Sequence, residues 1–499
     1  MDRPDNLTLF QSFHWYLPAD GKFWNHITEI APELLELGID FIWLPPAYKT
    51  CDGANGVGYG VYDLYDLGEF EQQFTLRTKY GTKDEYIRCV QELQKNHIKV
   101  LVDVVLNHRM GADETETVLV TNQDQNNREN DASEPYNKEV KTKFTFPGRQ
   151  GKYSNFIWDF MCFTGVNDKD DESNNGLFYR IQHEYSEEWD NVPSKEFGNF
   201  DYLMGADVEF RNPAVREELK RWGEWYYNTV KFDGVRLDAV KHMNPQYINE
   251  WVEHVKNVAG GNLMVIAEDW TMHLEELVQY MDISQGKIQL FDVPLHYNFH
   301  RASVADNSFN MATILDGTLT KEHPQVAITF VENHDTQPLQ MLESPVDYWF
   351  QPLAYAIILT REQGIPCIFH TSLYGAKYTD KGKDGQDHEV ELVPPPSTRE
   401  LMKVRKYWAF GVQRDYFDHP NVVGWTREGI DEAENSGCAV VLSNGDEGFK
   451  DMEIGNRHAG QQFVDILGNR QEEVTINQDG YARFGVNGRS VSVWVRKDR

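Results

Sequence analysis

The 499-residue sequence contains no apolar stretch long enough to cross a membrane as a helix. One of its longest apolar runs, Val100 to Leu106, is interrupted by Asp103. Residues 1–6 lack the apolar run of a signal peptide. The five cysteines are widely spaced and form no Cys-x-x-Cys pair, which is typical of a reducing compartment. These absences predict a cytoplasmic protein; the alternative is a secreted mature form whose signal peptide has been removed.

The sequence also has few positively charged residues relative to its acidic ones. The sequence has 48 Lys and Arg against 79 Asp and Glu, which gives a formal net charge of −31. A surface this negative repels phosphate groups, so we expect no nucleic acid and no membrane among its partners. It suits a neutral substrate or a cation. The protein is also expected to be a monomer. Aromatic residues are plentiful at 13%, and they offer flat apolar surface beyond the needs of a core.

Short apolar runs alternate with amphipathic helical stretches over most of the sequence, which is the pattern of a (β/α)8 TIM barrel. Helix-end signals support this prediction. Gly38 follows a helical stretch that begins near His26, and Thr82 with Glu85 forms a capping box. Asn212 precedes a proline that starts another helix. The eight predicted strands are residues 7–10, 41–44, 99–106, 234–237, 263–267, 288–291, 326–331 and 366–370.

Two regions interrupt the alternation of strands and helices. Residues 107–206, between the third and fourth strands, form an insertion so long that it must fold as a subdomain. After about Tyr407, short alternating runs predict a C-terminal antiparallel β-sandwich. Three dipeptides there signal β-hairpins: Asn444-Gly445, Asp479-Gly480 and Asn487-Gly488. The predicted domains are a barrel (1–106 and 207–406), an inserted subdomain (107–206) and a C-terminal domain (407–499).

Polar residues are concentrated where the predicted barrel strands end, which is where barrels carry their function. They are Asp103, Asn107, Arg236, Asp238, Glu268, His334 and Asp335. Asp238 and Glu268 end adjacent strands, so their carboxyl groups can flank one scissile bond, the arrangement needed for glycoside hydrolysis. A single acid at a strand end is often a helix cap or an ion-pair partner. Because several acids are predicted to meet at one end of the barrel, a functional site is favoured over purely structural roles.

Four motifs resemble the signature blocks of the α-amylase family of glycoside hydrolases. They also stand in the family's order, and the resemblance runs nearly end to end. It is closest to the liquefying bacterial branch, and within that branch to the cytoplasmic enzymes. The motifs are Asp103-Val104-Val105-Leu106-Asn107-His108, Gly234-Val235-Arg236-Leu237-Asp238-Ala239-Val240-Lys241-His242, Ala267-Glu268-Asp269-Trp270 and Phe330-Val331-Glu332-Asn333-His334-Asp335.

The resemblance implies roles for the three acids. Asp238 resembles the family's nucleophile, and Glu268 resembles its general acid/base. Asp335 resembles the third carboxylate, which grips sugar hydroxyls and helps to distort the ring. Arg236 would orient Asp238 and support its charge.

The resemblance also implies a set of substrate-binding residues. His108 and His334 would hydrogen-bond the sugar at the cleavage site, and Tyr59 would stack under the same sugar. Lys241 and His242 match a pair that contacts sugars on the leaving-group side. Trp270, from the third signature block, is predicted to join this set.

A calcium site follows from the same resemblance. Asn107, Asp201 and Asp207 supply hard oxygen ligands, which suit Ca²⁺. In the family, these positions and the backbone carbonyl matching His242 bind a calcium ion that holds the insertion to the barrel. The alternative is that Asp201 and Asp207 only cap turns.

The liquefying branch has a second metal cluster, and the sequence departs from the family at that place. The stretch Thr164-Gly165-Val166-Asn167-Asp168-Lys169 has lost acidic ligands and gained a lysine. The sequence therefore predicts one calcium ion and leaves the second cluster open.

The resemblance implies an endo-acting α-amylase that cleaves α-1,4-glucosidic bonds in starch, glycogen or maltodextrins with retention of configuration. One rival is a transglycosylase or an α-1,6-specific enzyme of the same fold. A rival of another class is a non-catalytic glycan-binding protein. Such proteins usually lose catalytic carboxylates, and this sequence keeps all three.

Overall fold

The computed structural model of the protein describes residues 6–124, 126–167 and 177–497. Eight parallel strands close into a barrel in which each strand pairs with its neighbours in chain order and the first pairs with the eighth. The predicted TIM barrel is therefore confirmed. The strands are Leu9–Gln11, Phe41–Leu44, Lys99–Val104, Gly234–Leu237, Met264–Ala267, Gln289–Phe291, Ala327–Phe330 and Ile365–Phe369.

The α-helices of the described residues surround this barrel and continue after it closes. Gly38 ends the first helix in the left-handed conformation, as predicted, although that helix begins at Phe23, three residues before His26. Thr82 and Glu85 form the predicted capping box. The helices are Phe23–Leu37, Lys83–Lys95, Pro213–Val230, Pro245–Val258, Leu274–Ile283, Val293–Ala305, Leu319–Glu322, Gln351–Thr360, Thr371–Tyr374 and Thr398–Tyr407. None of those in the described residues is long and apolar enough to cross a membrane.

The insertion after the third strand carries its own antiparallel sheet of six strands. In sheet order they are His108–Arg109, Ala206–Val208, Phe163–Asn167, Phe178–Ile181, Glu114–Asn122 and Tyr136–Lys143. The first two of these lie at the two ends of the insertion and pair with each other, with Asp207 opposite His108. This pairing closes the insertion at the mouth of the barrel, beside the ends of the third and fourth barrel strands.

Two short antiparallel pairs lie next to the barrel mouth. Lys49–Thr50 pairs with Val61–Asp63 and frames the loop that carries Tyr59. A hairpin of Ala376–Lys381 and Asp387–Leu392 follows the eighth strand.

The C-terminal domain is a β-sandwich, as predicted. Its six-stranded sheet runs in the order Gln413–Tyr416, Val422–Arg427, Cys438–Ser443, Ser490–Arg496, Gln462–Asp465 and Val474–Thr475. The second sheet pairs Gly448–Glu453 with Tyr481–Val486. Ala439 and Val441 face the sandwich core, whereas Val440 and Leu442 join the core that continues into the barrel. The alternation of side chains along one strand therefore joins the two domains.

The prediction that three dipeptides form hairpins is wrong. Each of them connects strands that belong to different sheets of the sandwich, so the flanking strands do not pair. The physical reason is burial between the sheets. Met452 and Phe484 of the small sheet pack on Ala439 and Val441 of the large one, and crossing between sheets is what brings them together. The turns at Gly445 and Arg489 are held together by a hydrogen bond from the Arg489 N–H to the Gly445 carbonyl.

The five cysteines lie in separate elements and form no disulfide. Cys51 is half-buried, and the other four are buried. Burial raises the pKa of Cys89, Cys162, Cys367 and Cys438 to about 12. Their thiols are therefore both inaccessible and protonated at neutral pH.

We predict that a thiol reagent counts five groups in denatured, unreduced protein but at most one in the native protein. The native signal belongs to Cys51, so the control variant Cys51→Ser should show almost none. A reductant should leave the melting temperature unchanged, because no disulfide contributes to stability. A count of three or one in the denatured protein would contradict the reduced state.

Candidate active site

The side chain of Arg236 lies at the centre of a group of acids in the barrel mouth. Only 1% of its surface is exposed. Its Nη1 donates hydrogen bonds of 3.0 Å to Asp103 and 2.6 Å to Asp238, and its Nη2 donates one to Glu268. One guanidinium thus contacts three carboxylates that belong to three adjacent strands or strand ends.

Strand register explains why these side chains meet. Arg236 is directly opposite Asp103 on the third strand, so both project at the same level of the barrel. Leu237 pairs with Ala267, which places Asp238 and Glu268 at equivalent positions just beyond their strands. After Asp238 the chain turns sharply, because Ala239 has a left-handed conformation and residues 240–242 form a single 3₁₀ turn. The backbone therefore presents both carboxyl groups to the mouth.

The acids around Arg236 differ in how strongly their surroundings shift their pKa values. Burial raises the pKa of Glu268 well above its ordinary value, and Asp238 nearby raises it further, while Arg236 opposes both effects. Burial also raises the pKa of Asp335 to about 7 and that of Asp103 to about 6. Burial would lower the pKa of Arg236, but the surrounding carboxylates raise it, so the guanidinium stays charged. Glu268 is thus a carboxyl group that keeps its proton to a higher pH than an exposed glutamate does.

His334 and Asp335 reach the same mouth from the turn after the seventh strand. The side-chain oxygen of Asn333 accepts the Asp335 and Thr336 backbone N–H groups and so fixes this turn. The His334 ring lies 5.1 Å from the Tyr59 ring at an angle of 8°. Its Nε2 is 3.4 Å from the Asp335 carboxylate. The predicted histidine, tyrosine and third acid are therefore neighbours.

Tyr59 and His108 are joined through hydrogen bonds to each other and to the acid group. The Tyr59 hydroxyl donates to Asp103 over 2.9 Å, and burial raises the pKa of that hydroxyl well above its ordinary value. His108 Nε2 lies 2.8 Å from the Tyr59 carbonyl oxygen. Trp15 lies almost parallel to both Tyr59 and His334, at 5.9 and 6.1 Å between ring centres. The partly exposed rings of Trp15 and Tyr59 therefore form a flat aromatic surface that extends from the acids along the barrel mouth.

Lys241, His242 and Trp270 form a second group on the side of the insertion. Lys241 Nζ donates hydrogen bonds to the Trp270 carbonyl at 3.2 Å and to Glu196 at 2.8 Å. His242 Nδ1 lies 2.6 Å from the Phe200 carbonyl oxygen. The Trp270 ring packs against aromatic residues of the barrel, including Phe330 and Tyr297.

Three of the predicted metal ligands, Asn107, Asp201 and Asp207, lie near one another where the insertion meets the barrel. Asn107 Nδ2 is 3.4 Å from Asp207, while its Oδ1 is buried with no hydrogen-bond partner in the structure. Burial raises the pKa values of Asp201 and Asp207. The Asp190 carboxylate raises that of Asp201 further, and the Asp201 carboxylate raises that of Asp207. In the described ranges, no group of three or more His, Cys, Asp or Glu side chains has an arrangement that could hold a metal. Asp168 and Lys169, which bear on the second cluster, lie outside the described residues.

Four residues that lie near these groups are not among the site residues predicted from the sequence. Trp15 and Glu196 lie in loops and carried no pattern that pointed to the site. Gln11, whose Nε2 lies 2.9 Å from His334 Nδ1, ends the first strand and could have been found by the same rule as the acids. Asp190 has a buried Oδ2 without a partner, and its N–H donates to Asp201.

This arrangement has the parts needed for acid-assisted substitution at a sugar carbon. Asp238 accepts a charge-assisted hydrogen bond of 2.6 Å from the Arg236 guanidinium. Glu268, one strand away, has a raised pKa. Paired carboxyl groups with different environments are characteristic of glycosidases.

Comparisons with known proteins identify the family. The profile described as the α-amylase catalytic domain matches residues 21–392, and that of the α-amylase C-terminal domain matches residues 439–495. The chain belongs to the α-amylase family of glycoside hydrolases. It is 46% identical to the cytoplasmic alpha-amylase of Escherichia coli K12, over 98% of this chain and 99% of that one. It is 44% identical to an alpha-amylase of Bacillus licheniformis, over 99% and 94% respectively.

A solved structure shows the same fold. The alpha-amylase of Geobacillus thermoleovorans, complexed with acarbose, aligns with a TM-score of 0.65 and 17% identity over 100% of both chains. The alignment covers the barrel, the insertion and the C-terminal domain of this chain.

Asp269, next to Glu268, is buried and has an Oδ1 without a hydrogen-bond partner. Burial raises its pKa from 3.8 to about 7, against an opposing effect of Lys241. Because the folded protein holds this proton more tightly than the unfolded chain does, the contribution of Asp269 to stability is lost as the pH rises from about 4 to about 7.

We predict that Asp269→Asn makes the free energy of unfolding less dependent on pH. Relative to the wild type, the variant should gain at least about 1 kcal/mol between pH 5 and pH 8, measured by urea unfolding. The exposed Asp479, replaced in the same way, is the control and should leave the pH dependence unchanged. Parallel curves for the wild type and Asp269→Asn would show that the carboxyl group is already ionised at pH 5.

Proposed function

We propose that the protein is an α-amylase that hydrolyses internal α-1,4-glucosidic bonds of starch, glycogen or maltodextrins with retention of configuration. The observation that carries this proposal is the contact of Asp238 and Glu268 with one buried guanidinium, which places two carboxyl groups side by side. Retaining glycosidases have their two carboxyl groups close together, about 5–5.5 Å apart, whereas inverting enzymes leave a gap for water.

In the first step, a carboxylate oxygen of Asp238 attacks the anomeric carbon of the sugar at the cleavage site. The Glu268 carboxyl group gives its proton to the glycosidic oxygen, so the bond to the leaving glucan breaks and that chain departs with a free hydroxyl. In the second step, Glu268, now a carboxylate, takes a proton from water. The resulting hydroxide displaces Asp238 from the anomeric carbon. Two inversions restore the α configuration.

The neighbouring residues support both steps without exchanging protons. Arg236 stabilises the Asp238 carboxylate, which is the attacking group in the first step and the leaving group in the second. Asp335 and His334 would bind hydroxyls of the distorted sugar. Tyr59 would stack against the apolar face of that sugar, and its hydroxyl is fixed by Asp103.

The rivals of the same fold are a transglycosylase and an α-1,6-specific enzyme. Full-length identity above 40% to relatives named as alpha-amylases favours hydrolysis of α-1,4 bonds over both. A non-catalytic glycan-binding protein would have no need of the buried acid group around Arg236.

A cytoplasmic location and a monomeric state are further parts of the proposal. The absence of a disulfide among the five cysteines, all of which the structure describes, and 46% identity to a relative named as cytoplasmic support the location. The substrate would then be an internal glucan such as glycogen, or imported maltodextrin.

A calcium ion held by Asn107, Asp201, Asp207 and the His242 carbonyl also belongs to the proposal. The donor set fits: all are hard oxygen ligands, and Asn107 Oδ1 has no other partner. Both carboxylates are buried, and Asp201 raises the pKa of Asp207, so the two need a nearby cation if both are to be ionised. The bound ion would hold the two ends of the insertion to the barrel.

We predict that Asp238→Asn and Glu268→Gln each lower turnover on starch by several orders of magnitude while the fold is kept. The wild type should cleave starch and leave an α-1,6 glucan intact, and NMR should detect the α-anomer of the product first.

The roles of Asp238 and Glu268 can be separated with an α-maltosyl fluoride, whose leaving group needs no proton. Glu268→Gln should recover the first step on this substrate and Asp238→Asn should not. A β-anomer appearing first would refute the mechanism.

We predict that chelation with EDTA lowers the melting temperature of the wild type and that Asp201→Asn reproduces this loss. EDTA should then have little further effect on the variant, because the same ion would already be absent. Asp131→Asn is the matched control, since Asp131 is a carboxylate of the same subdomain paired with Arg180. It should keep the full response to EDTA. Calcium binding measured by calorimetry should fail only in Asp201→Asn.

A further inference from the structure

We propose that Arg128, in the inserted subdomain, is a positioning residue for Lys241 and His242 on the leaving-group side of the cleft. The proposal rests on the proposed function, because it assigns Lys241 and His242 to the substrate. Arg128 does not contact either residue through a hydrogen bond that the structure shows. It acts through the segment 195–202, which lies between them.

The Arg128 guanidinium is enclosed by three phenylalanine rings. Its central carbon lies 4.8 Å from the ring centre of Phe178, 5.1 Å from that of Phe197 and 4.6 Å from that of Phe200. Guanidinium groups bind favourably to aromatic faces. Phe178 belongs to a strand of the inserted sheet, whereas the other two belong to the segment 195–202. Arg128 therefore attaches this segment to the sheet.

Hydrogen bonds fix the same segment at two further points. Arg128 Nη1 donates to the Tyr202 carbonyl over 2.7 Å, and the Arg128 backbone N–H donates to the Phe197 carbonyl over 2.8 Å. Packing is also close at Gly198, which has a φ of +83°, because a Cβ there would lie 2.4 Å from Asn127 Oδ1. The segment is thus held by the turn around Arg128 along most of its length.

Phe200 connects the segment to the two predicted subsite residues. Its carbonyl lies 2.6 Å from His242 Nδ1, and a carbonyl can only accept, so Nδ1 carries the hydrogen. His242 in its neutral form then has Nε2 as an acceptor for a ligand. The Phe200 ring lies 4.5 Å from the His242 ring at 85°, and Lys241 Nζ lies 5.1 Å from the Phe200 ring centre. The position of one phenylalanine therefore sets the orientation of both residues.

Loss of Arg128 should release Phe200 while the acids around Arg236, which belong to barrel strands, stay in place. The expected effect is on binding of sugars beyond the cleavage site, and not on the chemical steps. KM for a long oligosaccharide should rise with little change in kcat. Release of nitrophenol from a nitrophenyl maltotrioside should be unaffected, because that leaving group carries no sugar.

The experiment compares Arg128→Ala with Arg180→Ala as the matched control. Arg180 is likewise an arginine of the inserted subdomain, but it is buried and pairs with Asp131. For Arg128→Ala we expect KM for maltoheptaose to rise on the order of tenfold, with kcat and nitrophenol release within about twofold of the wild type. Arg180→Ala should not separate the two substrates. An unchanged KM for maltoheptaose in Arg128→Ala, or equal losses on both substrates, would overturn the proposal.

Two further variants and a spectroscopic signal distinguish a positioning role of Arg128 from a folding defect. Arg128→Lys keeps the charge but not the planar group, so it should recover only part of the KM effect. Phe200→Leu should reproduce the split between the two substrates. NMR of labelled histidines should detect the His242 Nδ1–H in the wild type and find it in rapid exchange in Arg128→Ala. This signal needs no activity, so it tests the positioning role even if the proposed function fails. A protected Nδ1–H in Arg128→Ala would refute the role.

Discussion

The buried guanidinium of Arg236 is the interaction on which the rest of the mouth depends. Asp103, Asp238 and Glu268 could not lie this close together in a buried place without a cation among them, because burial and mutual repulsion both disfavour their charged forms. A lysine could not replace this arginine, since three acids are reached from one planar group with fixed directions. The barrel contributes by pairing Arg236 with Asp103 in register, so the cation is placed by the backbone and not by a loop.

The same arrangement explains how neighbouring carboxyl groups can differ in role. Glu268 combines deep burial with repulsion from Asp238, and its pKa is raised despite its contact with Arg236. Asp103 holds the opposite side of the guanidinium and also accepts hydrogen bonds from Trp43 and Tyr59, so its oxygens are already occupied. Asp103 therefore positions the cation, and in the proposed mechanism Asp238 and Glu268 are the two acids that act on the substrate.

Most of the barrel and its acids could be predicted from the sequence, because strand ends obey a simple rule. Asp238 and Glu268 follow apolar runs whose alternation with helices defines the fold. The C-terminal turns could not be predicted, since Asn487-Gly488 has the local chemistry of a hairpin and only the burial between sheets decides that it crosses from one to the other. Trp15 and Glu196 were missed for a related reason. Each lies in a loop, and its place in the site depends on contacts with residues far away in the chain.

The site has two parts: one is carried by the barrel strands, and the other is held in place by the insertion. The acids and Arg236 stand on barrel strands whose pairing is continuous around the closed sheet, so their geometry is set by the whole barrel. Lys241 and His242 follow directly after one of these strands, yet their partners Glu196 and Phe200 come from the insertion. On the proposed roles, the chemical step and the binding of the leaving chain would therefore depend on different parts of the molecule. We expect that changes within the insertion alter which glucans are bound while the position of the acids stays fixed.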